Sequence, residues 1–327
     1  MKKVVFVLFN LLFLQTTYAQ YDKLSYEDAL KIKQSTICVL GEKQDPNVLF
    51  EDPSVFKRVK PKSSDFNSKK EMFIAKKNIF ESIFAANWTI SKIDTTKNSN
   101  SNSSLGLYLK YSQSHEWERS RSYKSANTAA NPTNTSRYTY DPATRTNSEV
   151  GVTLIVREIA TNKDLFGVFL PNPDVSHADL TYGILLLQNI VQYMSDDKNR
   201  KYKNYFDEET AKNAVELKDV TLLIINNETE LKPQQIKEVY PYPHKIVSYQ
   251  EAETIMKNRE SGKALMQLVV ISAGGIPRRA VTVMNTQTGK LYMYDIQGTG
   301  FKMNGVQVSR VPKIDKKQLK ELAKSIK

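Results

Sequence analysis

Two stretches, VGVTLIVREIATNKDLFGVFL at residues 150–170 and AVTVMNTQTGKLYMYD at residues 280–295, decide how this chain folds. In the first, the apolar runs Val150–Ile159 and Leu165–Leu170 flank a polar turn at 160–164. In the second, Ala280–Met284 and Leu291–Asp295 flank a turn at 285–290. Runs rich in β-branched residues around a short polar break spell a β-hairpin in each half. The hairpins share wording: Gly151-Val152-Thr153-Leu154 ahead of Thr161-Asn162-Lys163, and Ala280-Val281-Thr282-Val283 ahead of Thr288-Gly289-Lys290.

Working outward from the first hairpin, the apolar segment 180–194 predicts a buried helix opened by Ser176-His177-Ala178-Asp179, a capping sequence of S-x-x-D form. Upstream, the pattern predicts strands at 36–40, 88–93 and 105–112. It also predicts a short helix opened by Ser25-Tyr26-Glu27-Asp28, and one opened by Ser68-Lys69-Lys70-Glu71 with Met72, Phe73, Ile79, Phe80, Ile83 and Phe84 on its apolar face. Around the second hairpin it predicts strands at 220–225, 245–247 and 264–272. The helices there begin at Pro233, a first-turn proline, at the capping box Ser248-Tyr249-Gln250-Glu251, and at Asp315.

Each half thus runs strand, helical material, apolar strand, hairpin and closing helix, an internal repeat carried by element order more than by letters. The fold expected is α+β: two related α/β-sandwich domains, 20–195 and 219–327, joined by a charged linker at 196–218. Each should hold a mainly antiparallel sheet with helices on one face. The first carries a low-complexity linker, TTKNSNSNSS at 95–104, and a polar inserted loop or hairpin at 113–149.

Residues 1–19 read as a secretory signal peptide: basic Met1-Lys2-Lys3, an apolar run from Val4 to Leu14, and small residues ending at Ala19. That run is too short to span a bilayer. The segment 180–194, broken by Tyr182, Gly183, Gln188 and Asn189, does not read as a span either. The expected localisation is periplasmic or secreted, with no transmembrane segment and at most peripheral membrane association. Cys38 is the single cysteine among 327 residues, and there are three histidines, which argues against a disulfide framework or a Cys- or His-rich metal centre.

Losing Lys2 and Lys3 with the signal peptide takes the formal net charge from +12 to +10. More than half sits in 300–327, where Lys302, Arg310, Lys313, Lys316, Lys317, Lys320, Lys324 and Lys327 face only Asp315 and Glu321. This tail suits an anionic polymer or envelope surface. Nucleic-acid binding is not expected, because zinc-finger spacing and RNP-like aromatic motifs are absent. Walker A and dinucleotide fingerprints are missing too, so no cofactor is expected.

Ser176, His177 and Asp179 resemble parts of a hydrolase triad, but triad partners are assembled by folding and a capping role explains the spacing better. The G-x-S-x-G elbow is absent. No catalytic set is named and the reading leans away from an enzyme. Candidate binding residues are Trp117, Arg119, Arg121, Tyr123, Tyr138 and Tyr140 of the inserted segment, with Arg278 and Arg279 of the second half, because recognition surfaces favour Tyr, Trp and Arg.

In the second half, Lys245-Ile246-Val247-Ser248 entering a capped helix, the apolar strand 264–272 and the turn Thr288-Gly289-Lys290 resemble the small α/β domain of envelope proteins of the TolB amino-terminal and curli-secretion lipoprotein type. The whole chain resembles secreted, Asn- and Lys-rich envelope proteins of Bacteroidota. The lipid-anchoring cysteine and the β-propeller repeat of those relatives are missing. The resemblance implies a non-catalytic envelope module; with the signal peptide, the repeat, the basic tail and the lack of a catalytic set, the leading expectation is a module binding a protein partner or an anionic polymer. The alternatives are a secreted hydrolase using His177 with a distant carboxylate, or small-ligand binding between the halves.

Overall fold

The computed structural model describes residues 24–42, 78–94, 103–118, 121–124, 137–140, 144–172, 175–273, 276–297 and 313–326. The signal-peptide segment, the capping box at 68–71, most of 95–104, Arg119, and the glycines at 274–275 and 298–300 lie outside them. Among the described residues the chain forms seven helices, two five-stranded sheets and one two-stranded hairpin, an α+β fold with two sheet units.

The first sheet has the order β2-β1-β3-β6-β7, built from β1 (Ile37–Glu42), β2 (Ile93–Asp94), β3 (Leu105–Glu118), β6 (Thr144–Glu158) and β7 (Lys163–Phe169). Between β3 and β6 lies the separate hairpin of β4 (Arg121–Lys124) and β5 (Arg137–Tyr140). The inserted segment 113–149 therefore lengthens β3 and β6 at its two ends. Period-two alternation sends Leu105, Leu107 and Leu109 of β3, with Val152, Leu154 and Val156 of β6, into one core. Burying each such side chain contributes roughly 1.5–3 kcal/mol.

On the opposite face a polar network closes the β6–β7 turn. The Arg157 guanidinium donates to Asp164 Oδ1, to Asn162 Oδ1 at 2.6 Å and to the Tyr108 hydroxyl at 2.7 Å, and lies over the Tyr108 ring. The strand expected at 88–93 shortens to Ile93–Asp94. Trp88 instead tucks against Phe84 at 5.0 Å between ring centroids and donates its indole N–H to Ser91 Oγ, which turns the chain before pairing begins.

Three helices cover the core face: α1 (Tyr26–Gln34), α2 (78–87) and α3 (His177–Asp196). Sixteen of the twenty α3 residues are buried, which makes it an interior helix with no solvent face of its own. A Cβ at Gly183 would come 2.3 Å from Leu170 Cδ2, so glycine lets α3 lie close against the first sheet. On its other side Leu185 packs against Gly289, and Asn189 donates to the Thr288 carbonyl.

The second sheet has the order β12-β11-β10-β8-β9, from β8 (Thr221–Ile225), β9 (His244–Val247), β10 (Lys263–Ala273), β11 (Ile276–Asn285) and β12 (Leu291–Gln297). Helices α5 (Pro233–Val239) and α7 (Lys316–Ser325) pack on one face through Ile236, Leu319 and Leu322. Helix α6 (Tyr249–Lys257) packs on the other through Ala252 and Ile255. Val269, Met284 and Leu291 join the core of the first half, so α3 is wedged between the two sheets.

Both sheets follow one plan. β1 runs parallel to β2 and β3, as β8 does to β9 and β10; β3-β6-β7 and β10-β11-β12 are antiparallel meanders. Each sheet is therefore mixed, with its antiparallel part built on the hairpins from which the fold was read.

The charged stretch 196–218 carries a further helix, α4 (Tyr202–Asn213), and a 3-10 turn at Ala214–Lys218. Its anchor is two adjacent aromatics rather than a repeating stripe. Tyr205 meets Tyr193 edge-on at 5.2 Å, and Phe206 stacks on Tyr294 of β12 at 4.0 Å. A periodicity search is blind to an anchor of that kind.

Candidate functional site

The first turn of α3, the body of α6 and the ends of β8 and β10 enclose a cleft between the two halves. Its free space, including the part open to solvent, is about 250 Å³. The apolar walls are Ala178, Ile225, Ala252, Met256 and Leu265; the polar ones are Asp179, Tyr249, Glu253 and Gln267.

Asp179 is delivered by the capping box read from the sequence. Its amide donates to Ser176 Oγ at 3.2 Å, and its Oδ2 accepts the Ser176 amide at 2.9 Å. Asn172 bridges the halves, donating to Asp179 Oδ1 at 2.9 Å and to the Tyr249 hydroxyl at 3.0 Å. Asp179 is only 3% exposed, and this burial pushes its carboxyl above the usual range against the pull of those donors. Desolvation and the Asp179 charge likewise raise Tyr249, to about 12.

Below the cleft, the 3-10 turn Asn226–Glu228 ends β8 and carries Glu228 to the strand that outruns it. β8 pairs with β10 only as far as Met266, and the next outward amide, Leu268, donates to Glu228 Oε2 at 2.7 Å. Part of Glu228 reaches solvent, yet its carboxylate is packed deeply enough that burial raises it to about 7. The Leu268 amide and Arg279 act in the opposite direction, and Asp179 reinforces the rise. Four segments thus converge carboxylates and amides on one junction.

His177 is the first residue of α3. Burial holds its imidazole below the ordinary value, helped by Lys257 and opposed by Glu253. Both oxygens of Asp179 are engaged by Ser176 and Asn172. Among the described residues, no group of three or more His, Cys, Asp or Glu side chains is placed to hold a metal ion, and no helix is long and apolar enough to cross a membrane.

The residues singled out from the sequence fall in three places. Trp117 is on β3, in register with Arg145 of β6. The β4–β5 hairpin brings four together, pairing Arg121 with Tyr140 and Tyr123 with Tyr138. Arg278 and Arg279 are on β11, opposite Ile271 and Val270 of β10, and Arg279 lies within electrostatic reach of Glu228. Sequence reasoning missed Glu228, Tyr249, Glu253 and Gln267. A signal existed for Gln267, the polar residue inside the apolar strand ALMQLVVIS at 264–272.

The basic tail is described from Lys313 onward. Lys313 pairs with Glu230 at 3.1 Å and Lys316 with Glu238 at 3.5 Å, both acids of the second half. Lys317 lies 3.9 Å from Glu321, whereas Lys320 and Lys324 are exposed and, among the described residues, have no ion-pair partner. Comparison of the chain with known protein families, with curated proteins and with solved structures finds no match in any of the three.

Proposed function

We propose that the protein is an exported, non-catalytic envelope module that binds an anionic polymer through the outer face of α7. The observation that carries this reading is the division of α7. Leu319, Leu322 and Ile326 are buried against the second sheet while Lys320 and Lys324 stand in solvent without carboxylate partners. Unpaired lysines on one face raise the local concentration of a polyanion and make the encounter salt-dependent. The basic and apolar start of the chain supports export, and the shared strand order of the two sheets supports reading the halves as repeats. The hydrolase alternative has less behind it, since both Asp179 oxygens are committed to Ser176 and Asn172.

The test is fractionation of cells expressing the tagged protein, with the envelope pellet washed in increasing salt. The expected result is pelleting, release by salt, and loss of pelleting in a Lys320→Glu/Lys324→Glu variant that keeps the wild-type Tm. A protein found soluble at low salt refutes the reading. Salt-resistant pelleting unaffected by the two substitutions replaces the polymer with a protein partner bound elsewhere.

A further inference from the structure

We propose that the junction between the two halves is a pH-sensitive hinge: it parts at the first turns of α3 as the pH rises past neutral, while the far end of α3 stays docked. The hinge is independent of the basic face of α7.

The contacts of α3 with the second half divide into two unlike ends. Toward its C-terminus they are neutral or of opposite charge. Asn189 donates to the Thr288 carbonyl at 3.2 Å, Leu185 closes on Gly289, and Phe206 of the following helix α4 stacks on Tyr294 at 4.0 Å. Asn213 of α4 donates to the Leu291 carbonyl at 3.2 Å, and Glu216 pairs with Lys290.

Ten residues before Asn189, about 15 Å back along the helix, the junction is acidic instead. Asp179 enters it from the first half and acts on Glu228 of the second, and Glu253 of α6 acts on Asp179 with the same sign. Tyr249 of α6, held by Asn172 at 3.0 Å, feels all three carboxylates. Three cations border this end: Arg279 of β11 acts on Glu228, Lys257 of α6 acts on His177, and Lys313 pairs with Glu230. One turn into α3, the Tyr182 hydroxyl is sealed against β11 near Thr282 without a hydrogen-bond partner. A hydroxyl buried in that way costs roughly 1–3 kcal/mol, which water relieves on opening.

The closed junction therefore favours neutral acids. Burial raises Asp179 and carries Glu228 from 4.5 to about 7. Below the ordinary carboxylate range both are protonated whether the halves are together or apart. Above it, only the parted state ionises them freely. For Glu228 alone, the ratio of parted to closed molecules rises about 70-fold between pH 5 and pH 8, and Asp179 acts in the same direction.

Thiol exchange on the full chain tests this. Ala252→Cys places a probe in the cleft wall facing α3, and Ala214→Cys places one at the docked end; both alanines are buried. Each is reacted with a small neutral disulfide at pH 5, 6.5 and 8, and the rate at each cysteine, Cys38 included, is divided by that of a short cysteine peptide at the same pH. The Ala252→Cys thiol should speed up by tens of fold from pH 5 to 8, with a rate unmoved by 1 M urea, and Glu228→Gln should remove most of that rise. The Ala214→Cys thiol should react far more slowly at every pH and only as urea is added. Should Ala252→Cys fail to fold, Ala178→Cys on the opposite wall carries the same expectation. A flat pH profile at the cleft, a rise that survives Glu228→Gln, or a cleft thiol no faster than Ala214→Cys overturns the proposal; the last would mean that the molecule opens only by unfolding as a whole.

Discussion

Replacing Glu228 by glutamine tests the electrostatics of the junction directly. In the fold its carboxyl rises from an ordinary 4.5 to about 7, chiefly through burial. For an acid raised in this way, the neutral form is the one the fold prefers. Its stabilising contribution is fully present below 4.5, where folded and unfolded states are both protonated, and is lost as pH climbs through 7. At about 1.36 kcal/mol per pH unit, the complete titration is worth about 3 kcal/mol, of which about 2.5 falls between pH 5 and pH 8. Glutamine keeps the shape of the neutral acid and an oxygen for the Leu268 amide, but it cannot ionise. Glu228→Gln and the wild type should therefore differ by less than about 1 kcal/mol at pH 5, and the variant should gain about 2.5 kcal/mol on the wild type by pH 8. Urea unfolding of both proteins at pH 5, 6.5 and 8 measures the gap. A gap that stays constant, or a variant that becomes the less stable protein as pH rises, would show that Glu228 is ionised and well solvated, and would refute the reasoning.

Removing the α3 cap with Ser176→Ala should cost about 1 kcal/mol in urea unfolding, since the Asp179 amide loses its acceptor. Arg157→Ala should cost about 3 kcal/mol in the same assay, because it leaves the Asp164 carboxylate without its cation and with only the Tyr108 hydroxyl donating to it. Two glycines with positive φ separate backbone strain from crowding. Gly262→Ala meets nothing within 4 Å and should lower stability by about 1–2 kcal/mol. Gly289→Ala would bring its Cβ to 2.6 Å from Leu185 Cβ and should cost clearly more, with a correspondingly lower Tm.

The two hairpins were legible because their information is local: alternating apolar residues, a polar turn, and the right spacing. Capped helix starts were legible for the same reason, and the bonds at Ser25, Ser176, Ser248 and Asp315 form within three residues of each cap. Helix α4 was hidden because two adjacent aromatics and a distant strand hold it, not a stripe of its own. The cleft was hidden more deeply. Asp179 reads as a capping residue, which it is, and nothing local to it announces Gln267 or Glu228.

What the amino-acid sequence determined by itself is therefore the two hairpins, the capped helices around them, and the α+β class with two sheets. What only the tertiary structure decided is that α3 lies between the sheets, and that Asn172 and Asp179 of one half meet Tyr249, Glu228 and Gln267 of the other. The physical reason is that pairing patterns and caps act over a few residues, whereas desolvation depends on everything packed around a group. A carboxylate is an ordinary surface acid until a helix from 70 or more residues away closes over it, and its altered chemistry is a property of that closure.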